Sequence, residues 1–217
     1  MVKFNLYGVI LFLCFISAFN ILKAQDWETR RIFHCNNESS INQVLKTNDD
    51  KYIVVGRFKD TLKTPIGNFL SFGNFDVYFG LLDNNMDFEW IYHLGNDALD
   101  LESKFTISNN IIYLTGPFQD TLRFTPQDSL ISTGLFDTYL AAFDMDGTLL
   151  WKKSIATGSS GQISNNITFD KNDSILISGF FANSIAFEST SLNSSKATFE
   201  SFFAKFDNSG NLGWAKS

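Results

Sequence analysis

The chain has 217 residues, of which 44% are hydrophobic and only 18% charged; this excludes a disordered chain and provides for one or two packed domains. Two cysteines exclude a disulfide scaffold and a cysteine-rich zinc protein. A formal charge of −6 and a pI near 4.8 argue against nucleic acid and anionic membrane surfaces as partners.

In chain order, the first element stands apart. Met1-Val-Lys3 is followed by an almost unbroken apolar stretch from Leu6 to Phe19, and then by Ala24 at a position suited to cleavage. A basic start, a short apolar core and a small residue form the pattern of a secretory signal peptide. The stretch falls short of the roughly 20 residues that a membrane span needs. Bulky Phe12-Leu13 before Cys14 argue against a lipoprotein signal. The expectation is a signal peptide over residues 1–24, cleavage after Ala24, and a secreted or cell-surface product. Cleavage would remove Lys3 and Lys23 and no acids, leaving a formal charge of about −8, which favours solubility. Cys35 would then be the remaining cysteine, expected as a small buried hydrophobe.

Residues 25–217 are organised by four tryptophans. Trp27, Trp90, Trp151 and Trp214 stand 63, 61 and 63 residues apart. Gly56-Arg-Phe58, Gly116-Pro-Phe118 and Gly179-Phe-Phe181 recur in the same frame. They are followed by Asp60-Thr-Leu62, Asp120-Thr-Leu122 and the diverged Asn183-Ser-Ile185. Phe75-Asp-Val-Tyr78, Phe136-Asp-Thr-Tyr139 and Phe199-Glu-Ser-Phe202 come next, and Asp83, Asp144 and Asp207 each precede a tryptophan by seven residues. Such a period marks a solenoid or a propeller. The units are predicted at 27–89, 90–150 and 151–213, with a fourth beginning at Trp214.

The content of each unit decides between the two. Tyr52-Ile-Val-Val, Ile111-Ile-Tyr-Leu and Ser174-Ile-Leu-Ile are short runs rich in β-branched residues, and each leads to a glycine. No window beyond residue 25 sustains a helical spacing of apolar residues. Four strands of about 5–6 residues fit one unit, and four-stranded units in tandem are propeller blades. The expected fold is all-β, a propeller-like array of about three four-stranded blades. It is expected to be partial or open, because closed propellers take roughly 4–8 blades.

Taken together, Gly-x-Phe, Asp-Thr-Leu, Phe-Asp-x-Tyr and the Asp-x-x-Gly turns at Asp144–Gly147 and Asp207–Gly210 resemble the bacterial SBBP-type β-propeller repeat. Asp83-Asn-Asn-Met86 keeps the aspartate without the glycine. The resemblance covers residues 27–217. It implies an exported protein of the kind found in Bacteroidetes, and it speaks to architecture rather than to chemistry.

Motifs that carry chemistry are few. Leu140-Ala-Ala-Phe-Asp144-Met-Asp146-Gly-Thr matches the nucleophile motif of haloacid-dehalogenase-type phosphatases. Its counterparts at Gly80–Asp83 and Ala204–Asp207 lack the second aspartate, and no helix–strand alternation surrounds it. A hairpin turn is expected instead, with Asp144 accepting backbone N–H groups and Gly147 supplying positive φ. His34 and His93, the two histidines, fall at different repeat positions and offer no convergent ligand set. No catalytic, cofactor or metal residues are therefore assigned. The recurring Trp27, Trp90, Trp151, Trp214, Gly56, Gly116, Gly179, Asp83, Asp144 and Asp207 are expected to be structural, the aromatics as inter-blade core.

The function expected from these features is a non-enzymatic binding or surface-scaffold module. Its partners would be a surface protein or a glycan, together with further blades or a second chain to close the ring. Specificity would reside in the least repetitive stretches, Gly95–Glu102, Gly158–Gln162 and Leu192–Ala197. The rival is a propeller-based enzyme acting on polysaccharide through the non-repeating acids Asp97, Asp100 and Glu102.

Overall fold

The computed structural model describes residues 33–98, 100–194 and 198–217. The expected signal peptide, Trp27, Leu99 and residues 195–197 lie outside them. Among the described residues every regular element is a strand. The first sheet holds β1 (His34–Cys35), β2 (Ser39–Lys46), β3 (Tyr52–Thr64), β4 (Gly67–Leu82) and β5 (Phe88–Leu94). The second unit contains β6 (Lys104–Ser108), β7 (Ile111–Phe118), β8 (Thr121–Thr125), β9 (Asp128–Ile131), β10 (Asp137–Asp144) and β11 (Leu149–Ala156). The third repeats it as β12 (Gln162–Phe169), β13 (Ile175–Phe181), β14 (Ser184–Phe187), β15 (Thr190–Asn193), β16 (Glu200–Phe206) and β17 (Leu212–Lys216).

Each main sheet is an antiparallel meander. The order is β6-β7-β10-β11 in the second blade and β12-β13-β16-β17 in the third, and β2-β3-β4-β5 run the same way in the first. This is the all-β, open, propeller-like array of three four-stranded blades that the repeat content implies. The strands that carry Trp90, Trp151 and Trp214 are each the last of their sheet, so the Trp-to-Trp period divides the chain one strand away from the sheet edges.

A hairpin not expected from the sequence joins the second and third strands of every blade. In blades two and three it is a separate two-stranded ribbon, β8-β9 or β14-β15; in blade one it continues β3 and β4 as Thr61–Thr64 paired with Gly67–Leu70. The hairpin explains the recurrence of Asp60, Asp120 and Asn183. These three sit at φ of 71°, 58° and 59°, a left-handed conformation that Asp and Asn tolerate better than most side chains. The next apolar residue, Leu62, Leu122 or Ile185, is buried.

Two apolar cores lie between blades. Ile53, Val55, Val77, Phe79 and Leu81 of the first sheet meet Ile112, Leu114, Ala141 and Phe143 of the second. Tyr113, Leu140 and Ala142, on the other face of that second sheet, meet Ile175, Ile177, Phe202, Ala204 and Phe206. The central strands β7 and β10 are thus buried on both faces, which is why they read as unbroken apolar runs. In β16 burial alternates because the face directed away from blade two carries no neighbour among the described residues.

In blades two and three the hairpin ties the blade to the one before it. Gly95, beyond β5, bridges Arg123 in β8, and Thr157, beyond β11, bridges Ala186 in β14. His34–Cys35 pair in the same way with Lys63 and Leu62. Cys35 is half-buried there and directs its thiol to the carbonyl of Lys59 at 3.0 Å, so it is more polar in its contacts than a buried hydrophobe.

The tryptophans and the Asp-x-x-Gly turns, neighbours in sequence, meet across blade boundaries. Trp90 donates Nε1–H to Met145 O at 3.1 Å, and a Cβ on Gly147 would lie 2.9 Å from its ring. Trp151 stands in the same relation to Gly210. Asp83, Asp144 and Asp207 shape these turns, each carboxylate accepting the N–H groups two and four residues on. Gly147 has φ of 80° as well as no room for a side chain. Replacing it with alanine is expected to cost about 2 kcal/mol, from left-handed strain plus displacement of Trp90. Alanine at Gly213, whose nearest neighbour would stand 3.4 Å away, is expected to change stability little; urea titrations of the two variants compare them directly.

Candidate functional site

In each blade the second strand ends, and the first begins, at the end of the molecule that carries the hairpins. Gly-x-Phe lies there. Its glycine faces an aromatic ring across the sheet: Gly56 pairs with Tyr78, Gly116 with Tyr139 and Gly179 with Phe202. A side chain on any of the three would overlap that ring and the neighbouring first strand or the loop leading into it. Its phenylalanine, Phe58, Phe118 or Phe181, is fully buried. The variable residue between them points the other way.

All three variable residues, Arg57, Pro117 and Phe180, line one cavity of about 370 Å³. Leu101, Glu102 and Lys104 complete it from the start of blade two, and Ile163, Ser164 and Asn165 from blade three. The first strands converge here. The side-chain amide of Gln43 in β2 accepts from Phe105 N at 3.0 Å and donates to Phe105 O at 2.8 Å, standing in for a strand partner between blades. Larger openings elsewhere include one of about 400 Å³ between blades two and three and one of about 770 Å³ among the turns at the opposite end. Neither gathers one motif position from every blade.

The charges in the cavity are distinct. The Arg57 guanidinium carbon stands 4.5 Å from the centroid of the Phe75 ring, a cation–π contact that holds it while leaving its N–H fork free to face a ligand. Lys104 donates to Asn42 O at 3.3 Å and lies 3.9 Å from Glu102. Phe180 packs edge-on to Phe199, with centroids 5.1 Å apart. The site is an amphipathic concavity with two cations, one carboxylate and an aromatic wall.

The loop that supplies Leu101 and Glu102 is anchored by buried acids. Asp76 is fully buried, accepts Phe72 N–H at 2.8 Å and lies 2.6 Å from Nε2 of His93. Asp100 accepts the Asn96 backbone N–H at 3.0 Å, while its own N–H donates to Phe75 O across the blade boundary. Burial, reinforced by the negative charge of Asp76, raises the Asp100 carboxyl to about 8. Blade two repeats the arrangement in part. Asp137 is buried and accepts from Thr133, its pKa also raised by burial, and Gln162 N–H donates to Phe136 O where Asp100 does in blade one.

The acids Asp97, Asp100 and Glu102 do not converge on one space. Asp97 is exposed beside Arg123, Asp100 is buried, and Glu102 lines the cavity. Of the three non-repeating stretches, Gly95–Glu102 contributes to the cavity through its last two residues. Gly158–Gln162 stops just short of Ile163, and Leu192–Ala197 begins in the third hairpin, with 195–197 outside the described residues. Arg57, Pro117 and Phe180 escaped the sequence reading, although their signal was present: the one position that varies freely inside an otherwise constant motif. Among the described residues no group of three or more His, Cys, Asp or Glu is arranged to hold a metal ion, and no helix is long and apolar enough to cross a membrane.

Fold and site together define a repeat-built, propeller-like β protein with a cavity where its first strands converge. No protein-family profile matches the chain. Over 130 residues, 54% of the chain, it is 28% identical to a WD repeat-containing protein of Acanthamoeba polyphaga mimivirus. The match covers 9% of that relative, so the chain spans less than a tenth of its length. The similarity is to another repeat protein, in keeping with the tandem blades.

Proposed function

We propose that this chain is a binding or scaffold module that holds an extended segment of a partner protein in the cavity lined by Arg57, Pro117 and Phe180. The carrying observation is the division of labour inside Gly-x-Phe: the constant residues build the blades, while the variable one from each blade faces the same space. The cavity chemistry suits a peptide with a carboxylate for Arg57 and an apolar neighbour against Phe180 and Ile163. The reading includes export after cleavage at Ala24 and membership of the SBBP-type repeat proteins, supported by the apolar N-terminal run and the repeat motifs. It also includes a place in a larger array, to which further blades would contribute.

Panning a random peptide library on the folded chain tests the site. Enriched peptides are expected to pair an acidic with an apolar residue, and to lose about tenfold or more in affinity against Arg57→Ala, the size of one charge-assisted contact. Phe180→Ala is expected to act alike, with Tm unchanged in both. Peptides that bind both variants as well as the parent chain would remove the cavity from the proposal. A glycan array bound in their place would replace the peptide by a sugar.

A further inference from the structure

Trp90 and Trp151 are each covered by the following blade, and Trp214 occupies the same repeat position in the third. It is 36% exposed, with Phe203 at 42% beside it and Phe199, four residues before Phe203, at 63%. Strand register places Trp214 opposite Lys205, and Phe203 opposite Lys216, on the face directed away from blade two. In blade one the residues equivalent to Phe203 and Trp214 are Phe79 and Trp90, which stack edge-on at 5.3 Å and join the inter-blade core. In blade three the equivalent rings keep that geometry at 5.5 Å, and no further blade covers them among the described residues. Lys205 is already paired with Asp170 at 2.6 Å, so covering the face leaves that charge compensated.

We infer that the outward face of the third sheet docks one more four-stranded blade of the same repeat, which seats Trp214 on its own Asp-x-x-Gly turn. The inference rests on the reading of the chain as part of a larger array, and specifies the contact. Both existing blade junctions supply the pattern: the ring lies on a turn glycine, and its Nε1–H has a backbone carbonyl two residues before that glycine within reach at Trp90. A second copy of this chain is a poor occupant. Its two glycine turns are filled by its own Trp90 and Trp151. Its third, Asp83–Met86, carries Met86 at φ 63°, with the side chain packed into the cluster of Tyr78 and Phe88.

The test appends a duplicate of residues 157–217 after Ser217 and follows Trp214 by acrylamide quenching and emission wavelength. Subtracting the signal of the matched Trp214→Phe chain isolates this ring. Docking is expected to lower its quenching several-fold and shift its emission to shorter wavelength. Gly210→Val in the appended copy alone should cancel both effects. An appended repeat that folds but leaves Trp214 open overturns the inference, and so does one that stays unfolded, since the docking surface is what should order it. Light scattering that shows the unextended chain as a dimer with Trp214 shielded would assign the face to a second copy instead. Peptide binding is read on the unextended chain, because Phe180 packs on Phe199 of the same outward face, so failure here is separable from failure of the cavity.

Discussion

Trp90→Ala is expected to lower stability by about 3 kcal/mol, whereas Trp214→Ala should cost about 0.5 kcal/mol, although the two residues hold the same place in the repeat. Trp90 touches Phe79 in its own blade and the Met145–Gly147 turn of the next, and its indole N–H is satisfied by Met145 O. Removing it opens a cavity at a junction between two β-sheets and leaves that carbonyl without its donor. Among the described residues the ring contacts of Trp214 stay within its own blade, with Phe203 and the Lys216 ammonium, and one side of it already meets water. Urea unfolding of the two variants measures the difference. Equal losses would show that the tryptophans act within their blades, which would also remove the premise of the docking surface.

Asp100→Asn is expected to stabilise the protein at neutral and alkaline pH and to flatten its pH dependence. The folded-state pKa of Asp100 is raised to about 8 from an ordinary value of 3.8, first by burial and then by the charge of Asp76, with Arg123 opposing. A raised carboxyl binds a proton in the folded chain that the unfolded chain has released. Stability is therefore full below about pH 4 and falls as pH rises towards 8, by up to about 1.4 kcal/mol per unit, for a total of a few kcal/mol. Above pH 8 both states are ionised and the loss levels off. Asparagine reproduces the neutral acid, with one acceptor and one donor edge, and has no proton to release. Thermal melts between pH 5 and 8.5 should show the parent losing Tm relative to Asp100→Asn. Parallel curves would mean that Asp100 is ionised throughout.

Much of the architecture was legible in the residues. The spacing of the tryptophans, Gly-x-Phe and the Asp turns gave the period, and β-branched runs gave the strands, because a repeated unit must present the same side chains to the same neighbours. The hairpins were not legible. Asp120-Thr-Leu122 was visible as part of a recurring string, yet nothing local shows that its leucine joins the core between the first two blades. The cavity was hidden for a related reason: its three defining residues are Arg, Pro and Phe, which share no chemistry and gain a common role only where the first strands converge.

The sequence by itself determined that this protein is all-β, that it is built from three like units, and which residues recur in each. Local propensity and periodicity are properties of the chain, and they survive without tertiary contacts. Which recurring residues touch was decided by the tertiary structure alone. Trp90 and Asp144 are 54 residues apart, yet the indole lies on the turn that Asp144 shapes because one sheet must bury its apolar face against the next. The same packing draws Arg57, Pro117 and Phe180 to a single cavity and leaves Trp214 facing outward, where the next blade would stand.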